Sequence, residues 1–182
     1  MYSKFKKCIL ILDGIISIYK LTKRLVFDNI ICIKLLYGVV MQKFVSNSTE
    51  DTIELGSKLA KTLKGGTVVA FFGGLGMGKT AFTRGMAKAL CVKEEVSSPT
   101  FAIVNDYGGN PPLYHFDMYR VESWDDLYSS GFFDFYEAGG ILSVEWAENI
   151  ENALPENTVR VTIQRGESDN QRIIIIDGGV EI

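Results

Sequence analysis

The densest chemistry in the sequence is Gly73-Gly74-Leu75-Gly76-Met77-Gly78-Lys79-Thr80, followed by Ala81. It satisfies G-x-x-x-x-G-K-[ST] in full, and each residue type has a task in holding a nucleotide polyphosphate. Glycines let the backbone wrap closely round phosphate oxygens with its N–H groups turned inward. A following helix N-terminus adds positive potential. Lys79 would reach the β- and γ-phosphates, and the Thr80 hydroxyl would ligate Mg²⁺. The plain alternative is a structural glycine turn. A chance match in a chain of this length is on the order of one per cent or less.

Such a site also needs an acid at the end of a neighbouring strand to hold Mg²⁺ directly or through water. Two residues qualify. Glu145 ends the run Ile141-Leu142-Ser143-Val144, and Asp117 ends Leu113-Tyr114-His115-Phe116. Glu145 is preferred because its strand is the more uniformly apolar. Ser97-Ser98-Pro99-Thr100 lies between the loop's helix and the next strand, where GTPases often carry a hydroxyl that senses the γ-phosphate. Thr100 is therefore a candidate, although a capped turn with Pro explains the residues equally well. His115, the only histidine, shares a strand face with Asp117, and a buried structural role is favoured over a general base. Arg120 is read as pairing with Asp117 or reaching a phosphate. Trp146 is read mainly as packing, and Tyr114, Phe116, Phe132, Phe133 and Phe135 as core.

The elements that must position these groups follow from the pattern. Thr67–Phe72 reads as a buried strand leading into the glycine turn, and a helix follows from about Lys79 to Leu90. Upstream, Lys43–Ser46 is a short strand. Ser48 is then an N-cap with Glu50 and Asp51 in the first turn, and apolar periodicity runs to about Leu63 before Gly65-Gly66. Downstream, Phe101–Asp106 and Leu113–Asp117 read as strands, Trp124–Tyr128 as a short helix and Ile141–Glu145 as a strand. Val159–Gln164 and Arg172–Asp177 read as a hairpin round a polar loop at 166–171. The alternation implies one α/β domain of P-loop NTPase-like form: a sandwich on a mainly parallel central sheet, with an antiparallel C-terminal hairpin.

Composition narrows the class. The 182 residues suit a single domain. One His and three scattered Cys argue against a His/Cys zinc site or a secreted disulfide framework, which favours a cytoplasmic protein. The formal charge of −3 is the sum of unlike parts: residues 1–40 carry seven Lys/Arg and two Asp, and residues 41–182 carry 12 Lys/Arg and 20 Asp/Glu, giving +5 and −8. Residues 1–40 are basic and apolar, but no run approaches the ~18 apolar residues of a spanning helix. Two readings stay open for this extension. It is a basic amphipathic helix lying on a membrane surface, or it is translated upstream sequence ahead of a start at Met41. The second is preferred, so no stable membrane association is expected, and residues 41–182 form the working domain.

Together, Gly73–Thr80, Ser98-Pro99-Thr100-Phe101, His115-Phe116-Asp117-Met118-Tyr119-Arg120 and Val144-Glu145-Trp146 resemble the TsaE (YjeE) family, the small bacterial ATPases of tRNA threonylcarbamoyladenosine synthesis. The resemblance covers nearly all of 41–182. It implies ATP and Mg²⁺ as cofactors, Thr80 and Glu145 as metal ligands and Lys79 as phosphate ligand. It places Thr100 and Asp117 in motifs needed for turnover, and Thr49 and Glu50 near the adenine. It further implies TsaD and TsaB as partners in modifying adenosine 37 of ANN-decoding tRNAs. Two positions depart from the family pattern: Gly74 stands where Asp is usual, and Ala81 where a second Thr is frequent.

The expected activity is thus phosphoryl transfer from ATP to water, with tRNA met only indirectly, because a −8 domain repels a phosphate backbone. A small-molecule kinase is disfavoured by the absence of a basic cluster after Lys88, and a GTPase by the absence of N-K-x-D. A nucleotide-binding switch without essential turnover is the remaining alternative.

Overall fold

β-Branched and aromatic runs supply the strands, and glycines or prolines separate them from amphipathic helices. The computed structural model describes residues 31–34, 40–99, 101–180 and 182. The extension up to residue 30 and residues 35–39 therefore lie outside the described residues. In chain order the elements are β1 (Ile31–Lys34), β2 (Val40–Ser46), α1 (Thr49–Ala60), β3 (Val68–Phe72), α2 (Lys79–Ala89), β4 (Val104–Gly109), β5 (Pro112–Asp117), α3 (Trp124–Ser129), α4 (Phe132–Glu137), β6 (Ile141–Glu145), a 3₁₀ segment (Ala147–Ala153), β7 (Val159–Arg165) and β8 (Arg172–Asp177).

The strands form one mixed sheet in the order β1-β2-β8-β7-β3-β6-β5-β4. The central four, β7-β3-β6-β5, are parallel. The β7–β8 hairpin, extended by β2, flanks them antiparallel on one side, and the β4–β5 pair does so on the other. The mainly parallel α/β sandwich and the C-terminal hairpin are as expected from the sequence.

Strand alternation divides the molecule into two cores. On one face Val69, Phe71, Leu113, Ile141, Val161 and Ile174 pack against α1 and α2. On the other, Val68, Ala70, Tyr114, Phe116, Leu142 and Val144 pack against α3, α4 and the 3₁₀ segment. Helices α1 and α2 approach until a Cβ on Gly56 would lie 2.2 Å from the Phe82 carbonyl, and one on Gly85 1.9 Å from that of Ile53. Side chains at these two positions would push the helices apart.

Several boundaries move for local reasons. Helix α1 starts as expected, with Ser48 accepting from Asp51 N, but Lys61 caps it two residues before the end of the apolar pattern. The strand expected from Phe101 begins at Val104, because Ala102 N and Ile103 N both turn back to Pro99 O at 2.8 Å. Helix α4, not foreseen, starts after Gly131, whose φ of 74° lets the chain turn sharply out of α3. Phe132 is buried as expected, while Phe133 and Phe135 pack at the rim of the core. Among the described residues no helix is long and apolar enough to cross a membrane.

Candidate functional site

Parallel strands aim their C-terminal ends the same way, and open α/β sheets bind ligands in the crevice there. The register carries this through: Phe71 lies opposite Glu145, and Glu145 opposite Asp117. The glycine loop leaving β3 therefore stands beside both candidate carboxylates. Gly73 has φ 139°, and a Cβ there would meet Ile163 O at 2.4 Å. Gly78, at φ 106°, takes the left-handed conformation that starts α2. These two positions need glycine if the loop is to curl back over the helix N-terminus.

Lys79 is buried and curls under the loop, donating to Gly73 O at 2.6 Å and Gly74 O at 2.9 Å. The Trp146 ring covers its ammonium, 4.1 Å from the centroid. Burial holds the Lys79 ammonium below the ordinary lysine range, opposed by the charges of Glu145, Glu148 and Asp117. A polyphosphate offers this group stronger acceptors than two neutral carbonyls.

Thr80 donates to Glu145 Oε1 at 2.7 Å, and His115 Nε2 lies 2.9 Å from the same oxygen. Glu145 and His115 are both buried. Behind them the Thr83 and Ser143 hydroxyls pair at 2.8 Å. One sheet face thus changes from apolar to polar as it nears the loop, and α2 supplies the partners. Asp117, also buried, accepts from Ser98 Oγ at 3.1 Å and from Tyr119 N at 3.0 Å. Thr100 lies outside the described residues. Arg120 rests its guanidinium over the Phe101 ring at 5.0 Å. Trp146, read from sequence as packing, is a half-buried left-handed residue (φ 56°) that turns the chain just after Glu145 and touches Tyr119.

The loop's other side opens into a cavity of about 280 Å³ whose wall includes Thr49, Glu50, Gly76, Met77, Gly78 and Ala81. Asn47, Ser48, Thr52, Asn170 and Arg172 complete it. Thr49 and Glu50 thus stand beside the loop. The Gly74 position faces open space, so the Asp usual in the resembled family would fit without a clash.

The description "Threonylcarbamoyl adenosine biosynthesis protein TsaE" matches residues 46–174, which span the loop, both carboxylates and the cavity. The chain belongs to the TsaE family. The tRNA threonylcarbamoyladenosine biosynthesis protein TsaE of Treponema pallidum is 36% identical over 131 residues, covering 72% of this chain and 97% of that protein. Its Bacillus subtilis counterpart is 37% identical over 132 residues, covering 72% and 82%. The crystal structure of Bacillus subtilis YdiB superposes with a TM-score of 0.65 at 32% identity, covering 78% of this chain and 88% of that one. The family is one of tRNA threonylcarbamoyladenosine biosynthesis.

In this TsaE-family site the donor set suits a hard divalent cation. A hydroxyl and a carboxylate oxygen stand 2.7 Å apart at the helix N-terminus. Mg²⁺ takes few protein oxygens and fills its shell with water and phosphate. Among the described residues no cluster of three His, Cys, Asp or Glu side chains forms a self-sufficient cage, so water or phosphate oxygens would complete the shell. Sequence reasoning missed Arg172, which donates to Met77 O at 3.1 Å and Gly76 O at 3.4 Å and so ties the loop to the β7–β8 hairpin. Its strand-start position carries no motif; only the β2–β8 register, Ser46 opposite Arg172, brings it to the cavity.

Proposed function

We propose that this TsaE-family chain is a Mg²⁺-dependent ATPase whose turnover drives the TsaD–TsaB assembly in threonylcarbamoylation of adenosine 37 of ANN-decoding tRNAs. The observation that carries the reading is the meeting of Lys79, Thr80 and Glu145 at the mouth of the glycine loop. The β- and γ-phosphates would take the place of the Gly73 and Gly74 carbonyls as acceptors for Lys79. Thr80 and Glu145 would hold Mg²⁺, which supplies charge neutralisation on the transferring phosphoryl group. Asp117, which accepts from Ser98 and the Tyr119 N–H at the adjoining strand end, is one of two groups that would help order the attacking water. Thr100 is the other group proposed for turnover. The base would enter the cavity beside Thr49 and Glu50.

The −8 balance of residues 41–182 supports contact with tRNA through the partners rather than directly. The deciding experiment is tRNA modification by purified TsaD and TsaB, with and without this protein and ATP. Modification should require both. If Glu145→Ala bound ATP, failed to hydrolyse it and still supported full modification, nucleotide would act as a switch and turnover would be dispensable.

A further inference from the structure

We infer that His115 is a positioning residue for Glu145, donating its Nε2–H to Oε1 and so setting how the carboxylate faces Thr80 and a divalent cation. The inference rests on the metal role proposed for Glu145 and adds to it a group that fixes that ligand.

His115 is fully buried on β5, and its Nε2 reaches diagonally to Glu145 on the neighbouring parallel strand. Both the His115 and the Thr80 bonds converge on Oε1; among the described residues Oε2 takes none. The carboxylate is therefore pinned through one oxygen while the other remains available. The opposite ring nitrogen fixes the tautomer. Nδ1 is the one buried side-chain nitrogen or oxygen among the described residues that lacks a hydrogen-bond partner. A proton on Nδ1 would be buried without an acceptor and would set the Nε2 lone pair against a carboxylate oxygen. The ring thus carries its proton on Nε2. Among the described residues the ring's only polar contact is with Glu145, and the Tyr107 ring flanks it at a centroid distance of 6.3 Å. A histidine serving packing alone would gain nothing from an imidazole with one bare buried nitrogen, whereas one that orients a metal ligand uses the single bond it makes.

Because the chain holds only this histidine, its ring can be read directly in the full-length protein freed of any His tag. Long-range ¹H–¹⁵N correlation should show a proton on Nε2; an Nε2 that carries none overturns the inference. Mn²⁺ affinity measured by electron paramagnetic resonance with ADP present gives the second reading. His115→Leu should weaken it about tenfold or more while leaving ADP binding in EDTA unchanged. His115→Gln, which keeps an N–H at similar reach, should remain within about threefold of wild type. Equal losses in both variants, or equal losses with and without metal, would overturn the positioning role. If the wild-type protein bound no nucleotide, the proposed function would fail and the tautomer alone would decide the His115 assignment.

Discussion

At the Lys79 end of the cleft the polar side chains are buried and already engaged, whereas at the Thr49 end Asn47, Thr49, Glu50 and Asn170 stand in water. Lys79, Asp117 and Glu145 are each 5% exposed or less. Their partners come from the glycine loop and the helix start after it, from β5 and β6 with the residues just beyond them, and from Ser98. The cavity beside Thr49 is assembled from residues more than a hundred apart, held by the β2–β8 pairing and by Gln171 Nε2 donating to Asn47 Oδ1 at 2.9 Å. Preorganised dipoles are worth most where water is excluded, and solvated ones tune affinity without deciding the chemistry. The contrast therefore predicts a steep gradient: changes at the buried end abolish function, and changes at the open end shift it.

Lys79→Ala should give the largest effect, lowering kcat/KM for ATP hydrolysis by about 100-fold or more through lost nucleotide binding. Equilibrium binding and steady-state kinetics check it. Burial also gives this lysine a pH signature in the nucleotide-free protein. Its folded-state pKa lies below the ordinary 10.5, so the folded state binds the proton less well than the unfolded one. Stability should rise with pH from that lowered value towards 10.5, and Lys79→Met should lose the rise in denaturant melts taken across that range. A rise of equal size in the variant would assign it to other groups.

Glu145→Gln comes next. It keeps an acceptor for Thr80 and His115 but loses the charge, so ATP should bind and turnover should fall about 100-fold. Glu145→Ala should match that loss and, by leaving the buried His115 Nε2 and the half-buried Thr80 hydroxyl without their acceptor, also cost about 1–3 kcal/mol of stability. Unequal turnover but equal melting curves for the two variants would break the link between metal holding and local wiring.

These two ends were unequally readable in the sequence. The buried end is a local pattern: a strand, a glycine turn and a helix in 22 consecutive residues, with Glu145 and Asp117 marked by ending apolar runs. The mainly parallel centre of the sheet follows from the alternation of strands and helices, whereas the order β3-β6-β5 is seen only in the structure. Arg172 and Asn170 left no such mark, because their roles depend on strand pairing with a segment near residue 46. Helix α4 was hidden for a related reason: Phe132, Phe133 and Phe135 look like generic core, and only the left-handed Gly131 reveals a new helix start. The Glu145–His115 contact was half visible, since each residue's buried strand was clear but their diagonal adjacency required the register.

Arg172→Ala tests the open end from the hairpin side. Its guanidinium spans the loop carbonyls of Met77 and Gly76 and the hairpin carbonyls of Asp169 and Gln171. Losing this fork should loosen the loop and raise KM for ATP about tenfold while kcat stays within about threefold. Arg172→Lys should recover little, because an ammonium lacks the planar fork that reaches both groups. A kcat loss as large as that of Glu145→Gln would place Arg172 with the buried machinery and erase the gradient.

Ser48→Ala should produce the smallest change. Ser48 caps α1 by accepting from Asp51 N at 3.0 Å, and α1 also carries Thr49 and Glu50 to the cavity wall. Removing the cap leaves one helix donor to water, costing about 1 kcal/mol of stability. The helix remains anchored below by its close packing on α2 and by the buried Ser46–Thr52 hydroxyl pair at 2.7 Å, so its first turn frays without the helix leaving the core. Nucleotide affinity should therefore fall by no more than about threefold, less than for Arg172→Ala. Backbone hydrogen exchange should speed up at Asp51 and Thr52 and remain unchanged at Leu59. Exchange that quickened along the whole of α1 would mean that the open end is held by its cap rather than by its packing, and the two ends would then differ in exposure but not in how they are built.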